Sequence, residues 1–213
     1  MSLNFVRWGG TAGMVGGLLW ALFPLSTAFV SHEYTQPGTL AYVAAIASDW
    51  LMAVLPLLLL IVGQMGLRAI YGGDFGRLGK VGILVSSAAL ALMFVGNGVE
   101  VASLTFSGSE SSVGHFAFLI GFLILLAGSV MLGIALIRIR RDPFSRLAGL
   151  LFVLALPMGI LLAFVVGPAT PGTDVGFWAA ITVPYGLAWM ILGYALSSSS
   201  RRMATGQPSR AAS

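Results

Sequence analysis

Six long stretches without a formal charge constrain this chain more than any other feature. They are Trp8–Ser31 (24 residues), Leu51–Leu67 (17), Val81–Val99 (19), Ser111–Ile137 (27), Leu147–Thr173 (27) and Val175–Ser200 (26). A helix needs about 20 apolar residues to cross roughly 30 Å of hydrocarbon, so each stretch supports one crossing and none supports two. The apolar residues run continuously rather than alternating, which favours helices over barrel strands. The expected fold is all-α, a polytopic membrane protein with six transmembrane helices near 8–30, 41–67, 80–105, 114–138, 147–167 and 176–197. Residues 1–197 form the six-helix transmembrane domain, and 198–213 read as a disordered cytoplasmic tail.

Composition supports the same class. Of the 213 residues 58% are hydrophobic and 8% charged, against about 25% charged in a soluble domain. So few charges cannot coat a soluble globule, and so much hydrophobicity excludes disorder. The net charge of +4 does not point to nucleic acid, because the basic residues lie in short clusters between apolar runs, with no basic stripe interleaved with aromatic residues. The chain has no cysteine, which removes disulfides, thiolate metal sites and cysteine nucleophiles.

Charge also orients the helices. In a six-span arrangement one side holds the N-terminus, the 68–80 loop, the 138–146 loop and the C-terminal tail. All 11 basic residues fall there: Arg7, Arg68, Arg77, Lys80, Arg138, Arg140, Arg141, Arg146, Arg201, Arg202 and Arg210. Asp74 and Asp142 join them, while Glu33, Asp49, Glu100, Glu110 and Asp174 fall on the other side. The positive-inside rule then places both termini in the cytoplasm, in a cell (cytoplasmic) membrane. Trp8, Tyr71, Phe75 and Phe144 at inner ends, and Tyr34, Tyr42 and Trp178 at outer ends, suit rings at the headgroup level. A rival reading takes Arg7, the following apolar run and Ser26-Thr27-Ala28 as a cleaved signal peptide; the run is longer than such segments usually are.

Lipid supplies no hydrophobic drive between helices, so close backbone approach through small residues matters more. Gly9, Gly13 and Gly17 recur at spacing four in the first span, as do Ala155, Gly159 and Ala163 in the fifth. These rows are expected to pack helices within the chain or to join it to a second copy or another subunit. Arg7-Trp-Gly, Arg77-Leu-Gly and Arg146-Leu-Ala-Gly open spans one, three and five at intervals of 70 and 69 residues. That pattern raises the reading of three tandem helical hairpins. Pro24, Pro56, Pro157 and Pro184 lie inside spans, where each removes a backbone donor.

Chemistry has few places to reside. Asp49 sits about eight residues into span two, roughly 12 Å from its outer end at the helical rise. Asn97 and Glu100 are three apart on one face of span three, and His115 opens span four just across a short loop. His32 and Tyr34 occupy the first outer loop. An ionised carboxylate at the centre of a span costs about 2.5–3.5 kcal/mol on insertion scales, so such residues are functional candidates by default. Asp49, Asn97, Glu100 and His115 are the expected binding residues. They suit three tasks: binding and releasing a proton in coupled transport, coordinating a divalent cation, or protonating a lipid or isoprenoid as general acid. Each has an ordinary counterpart, since a buried carboxyl or amide also bonds neighbouring helices and a histidine at the interface often has no ligand. Gln64, near the inner end of span two, reads as a packing contact.

Other machinery is missing. There is no phosphate-cradling glycine-lysine loop, no His-Glu-x-x-His motif, no serine elbow and no potassium filter. Lys80, the single lysine, stands at an inner mouth, away from the mid-membrane place a retinal would need. No cofactor, resident metal or catalytic residue is expected. The leading expectation is binding or transport of a small solute, ion or lipid through an outward-facing polar cavity. The alternatives are a non-catalytic accessory subunit or scaffold, and an intramembrane enzyme using a buried carboxylic acid on a lipid.

Overall fold

The computed structural model describes residues 3–29, 36–139, 143–169 and 175–204, and among them the regular structure is entirely helical. Six helices are long and apolar enough to span a bilayer, as the charge-free stretches require. They are α1 (Leu3–Phe29), α2 (Leu40–Tyr71), α3 (Arg77–Ser107), α4 (Ser112–Ile139), α5 (Pro143–Val166, then a 3₁₀ turn Gly167–Ala169) and α6 (Val175–Ala204). Most run a few residues past the apolar cores. The largest difference is at the C-terminus, where α6 stays helical through Ala204 and a tail from 198 was expected. Residues 205–213 lie outside the described residues.

The helix ends follow local chemistry. Thr39 accepts the Tyr42 N–H on its side-chain oxygen at 3.2 Å and opens α2, while Ser111 does the same for Gly114 at the start of α4. Pro143 opens α5, where its missing N–H costs nothing. Gly108 ends α3 with φ of 67°, a left-handed conformation that glycine adopts without strain. Pro24, Pro157 and Pro184 lie within continuous helices. Pro56 is treated differently, because a π-helical turn, Trp50–Val54, precedes it in α2. A π turn closes on the fifth residue, as Leu55 N–H does on Trp50 O, and local widening of this kind accommodates an interrupted hydrogen-bond ladder.

The helices form a closed ring in the order α1, α2, α3, α4, α5, α6, with α6 packed back on α1. The α1–α6 and α3–α4 contacts are the most extensive. Neighbours run antiparallel: Gly79 faces Ala135, Gly82 faces Leu132, Ser86 faces Gly128 and Gly96 faces Phe118, so each step along α3 matches a step back along α4. Gly10 and Gly17 meet Gly193 and Gly186 in the same opposed sense. As a result Arg7, Arg68, Arg77, Lys80, Arg138 and Arg146 collect at one end of the bundle, the basic end. Glu100 and Glu110 lie toward the other, the acidic end.

The small-residue rows pack within the chain, but not as single stripes. Gly9 and Gly16 face α2 at Gly66 and Leu59, Gly10 and Gly17 face α6, and Gly13 lies between Trp189 and Gly63. A spacing of four overshoots the 3.6-residue turn, whereas a spacing of seven nearly closes on itself. The working glycines therefore recur every seven residues: Gly9/Gly16, Gly10/Gly17, and Gly114/Gly121/Gly128 on α4. On α5, Ala155 and Gly159 are buried, with Gly159 against the Ala180 carbonyl, and Ala163 is half-buried.

Polarity is inverted relative to a soluble protein. Leu84, Phe164 and Leu123 stand outside, 70%, 76% and 65% exposed, while Gln64, Ser86, Ser129 and Thr182 are buried. An apolar surface of this kind suits lipid rather than water. The centre is aromatic: Tyr185 meets Trp20 and Phe152 edge-on, each with ring centres 5.3 Å apart. Several rings expected at headgroup level turn inward instead. Tyr42, Tyr71 and Phe75 are buried, and Trp178 packs on Phe23 and Phe118. For the tyrosines the reason is an acceptor within the protein: Tyr42 donates to the Leu104 carbonyl at 2.8 Å, and Tyr71 pairs with the Ser145 hydroxyl at 2.7 Å.

Candidate functional site

Close approach of α3 and α4 builds the acidic end. A Cβ on Gly114 would stand 2.7 Å from the Gly96 carbonyl oxygen and 2.8 Å from the Glu100 nitrogen, so only glycine lets these backbones touch. The next residue, His115, is thereby placed beside Glu100, and its Nδ1 lies 3.2 Å from the carboxylate Oε1. With the proton on Nδ1, the imidazole donates to the carboxylate. His115 is 44% exposed and Glu100 18%, so the pair joins an open imidazole to a sheltered acid. Asp49 and Glu110 both lie within coulombic range of Glu100. Asp49 is half-buried, the last residue before the π turn of α2.

Asn97 is committed differently. Its amide donates to the Ala53 carbonyl at 3.2 Å, inside the π turn. It thus ties α3 to the irregular stretch of α2, one turn below Glu100. Tyr42 on Leu104 and Trp50 Nε1 on Thr105 Oγ1 (3.4 Å) fasten the same two helices nearer their acidic ends. Asn97→Leu is expected to cost about 0.6 kcal/mol, the average for hydrogen bonds between membrane helices, and at most about 1.7 kcal/mol. Unfolding in mixed detergent micelles would measure it, and a variant as stable as the parent would deny Asn97 this role.

The expected site residues therefore divide. Glu100 and His115 pair directly, Asp49 lies near enough to Glu100 for its charge to be felt there, and Asn97 supports the helix beneath. His32 and Tyr34 lie outside the described residues. Among the described residues no group of three His, Cys, Asp or Glu side chains is placed to hold a metal ion.

Two further features lie elsewhere. At the basic end a cavity of about 160 Å³ is lined by Asp74, Phe75, Leu78, Gly79, Ala135 and Arg138, among others. In the interior Gln64 is 1% exposed and accepts from the Ser87 hydroxyl. Its position within an apolar run was the available signal, but its partners lie on other helices. Comparison with protein-family models, with curated proteins and with solved structures finds no match to the chain.

Proposed function

We propose that this is a multi-pass protein of the cell membrane, with both termini cytoplasmic, that binds or moves a small cationic or protonatable solute at its acidic end. The Glu100–His115 contact carries the reading, because it sets an exposed imidazole against a sheltered acid at the mouth of the bundle. Asp49 and Glu110 add negative charge around it, and a mouth dominated by one sign concentrates the opposite ion. The three tandem hairpins remain part of the proposal. Gly9, Gly79 and Gly149 recur at equal intervals of 70 residues, and each is buried at a helix contact near the basic end.

Proteoliposomes loaded with a pH-sensitive dye and given a series of alkylammonium salts test the function. The parent should couple entry of at least one salt to a pH change. Glu100→Gln and Asp49→Asn should each reduce that signal at least tenfold while still inserting. Parental flux in both variants would remove the carboxylates from the mechanism. Sidedness is tested by a tag fused behind Ser213, which should resist labelling in intact cells and react once the membrane is opened.

A further inference from the structure

We infer that the bundle interior contains a second polar site, centred on Gln64, Ser86, Tyr185 and Trp189, that holds a neutral guest the size of water. These residues come from α2, α3 and α6, and none is more than 2% exposed. Gln64 Nε2, Ser86 Oγ, Tyr185 Oη and Trp189 Nε1 are buried without a geometrically sound hydrogen bond. A further such atom, Ser197 Oγ, lies apart, against Gly10.

Contacts between their helices link the four residues. Gln64 bonds Ser87, the neighbour of Ser86. Ser86 rests on Gly128, next to Ser129. Tyr185 reaches toward Ser129 and Trp189 without a well-formed bond to either. The Trp189 ring in turn packs on Gly63, next to Gln64. At the helical rise Ser86 is about 16 Å along α3 from Asn97, so this site is separate from the acidic end.

The chemistry selects the guest. The Gln64 amide nitrogen and the Trp189 indole are donors only, whereas the Tyr185 and Ser86 hydroxyls donate or accept. A guest must therefore accept from the first pair and can give back to the second. A water molecule does both and typically makes about three hydrogen bonds when buried. None of Gln64, Ser86, Ser87, Ser129, Tyr185 and Trp189 carries a formal charge, and an unpaired ion in so apolar a setting costs far more than a neutral molecule.

The test uses the full-length protein, isotope-labelled, in phosphatidylcholine nanodiscs. Magnetisation transfer from water should reach the side-chain N–H groups of Gln64 and Trp189, while the equally buried Leu90 amide stays dark. Gln64→Leu should abolish transfer to Trp189 and lower the melting temperature. Ser86→Ala, a smaller change that keeps the fold, should at least halve the transfer to Gln64. Absence of transfer in the parent, or a Gln64→Leu variant that melts higher because an unsatisfied amide has been removed, would overturn the inference. So would a Trp189 resonance that moves when chloride replaces gluconate at constant ionic strength, since the guest would then be an anion.

Discussion

Gly193→Leu is expected to separate α1 from α6 and leave little folded protein. A Cβ at this position would lie 2.5 Å from the Gly10 carbonyl oxygen and 2.6 Å from the Met14 nitrogen. Both are backbone atoms of a helix, so no side-chain rotation relieves the overlap. Overpacking of this kind costs about 3 kcal/mol or more, a large share of the roughly 5–15 kcal/mol by which folded proteins exceed their unfolded states. The contact also closes the ring, because it joins the first helix to the last. Gly98→Leu is the matched control: nothing lies within 4 Å of a Cβ there, and leucine is the better helix former by somewhat under about 1 kcal/mol. Monodispersity in mild detergent and the midpoint of unfolding in mixed micelles would separate the two. A Gly193→Leu protein as stable as Gly98→Leu would show that α1 and α6 do not meet here.

Trp20→Ala should produce the second large loss, about 2–4 kcal/mol, somewhat below the 3–5 seen for large aromatic truncations in soluble cores. In a membrane the unfolded reference is still surrounded by apolar lipid, so the transfer part of that cost shrinks and the cavity part remains. Trp20 is 1% exposed and meets Tyr185 edge-on at the centre of the bundle, where neighbouring helices cannot collapse into the gap. Leu161, 64% exposed on α5, is the counterpart. Acyl chains can fill the space left by Leu161→Ala, and its effect should stay within about 0.5 kcal/mol. Equal losses at both positions would mean that the buried and lipid-facing sides have been interchanged.

Much of the acidic-end site was visible as residue types. Glu100, Asp49 and Asn97 stand out because a polar group in an apolar run must be satisfied or must act. Their tasks were not visible. Asn97 and Glu100 share a face of α3, yet one holds the Ala53 carbonyl and the other meets His115. That division depends on the π turn before Pro56 and on the glycine contact between Gly96 and Gly114, neither of which a hydropathy pattern records. The same holds for Tyr42 and Tyr71, whose amphipathic rings suit either an interface or a buried acceptor.

The number of helices and the gathering of basic residues at one end were already dictated by the chain, because bilayer thickness and the cost of burying charge act on local stretches of sequence. Helix neighbours, the use of each glycine and the meeting of Gln64 with Ser87 arose only on packing. These contacts join residues far apart along the chain, and their energy comes from matching shapes and donor–acceptor directions between helices. An apolar run contains no record of which neighbour it will face.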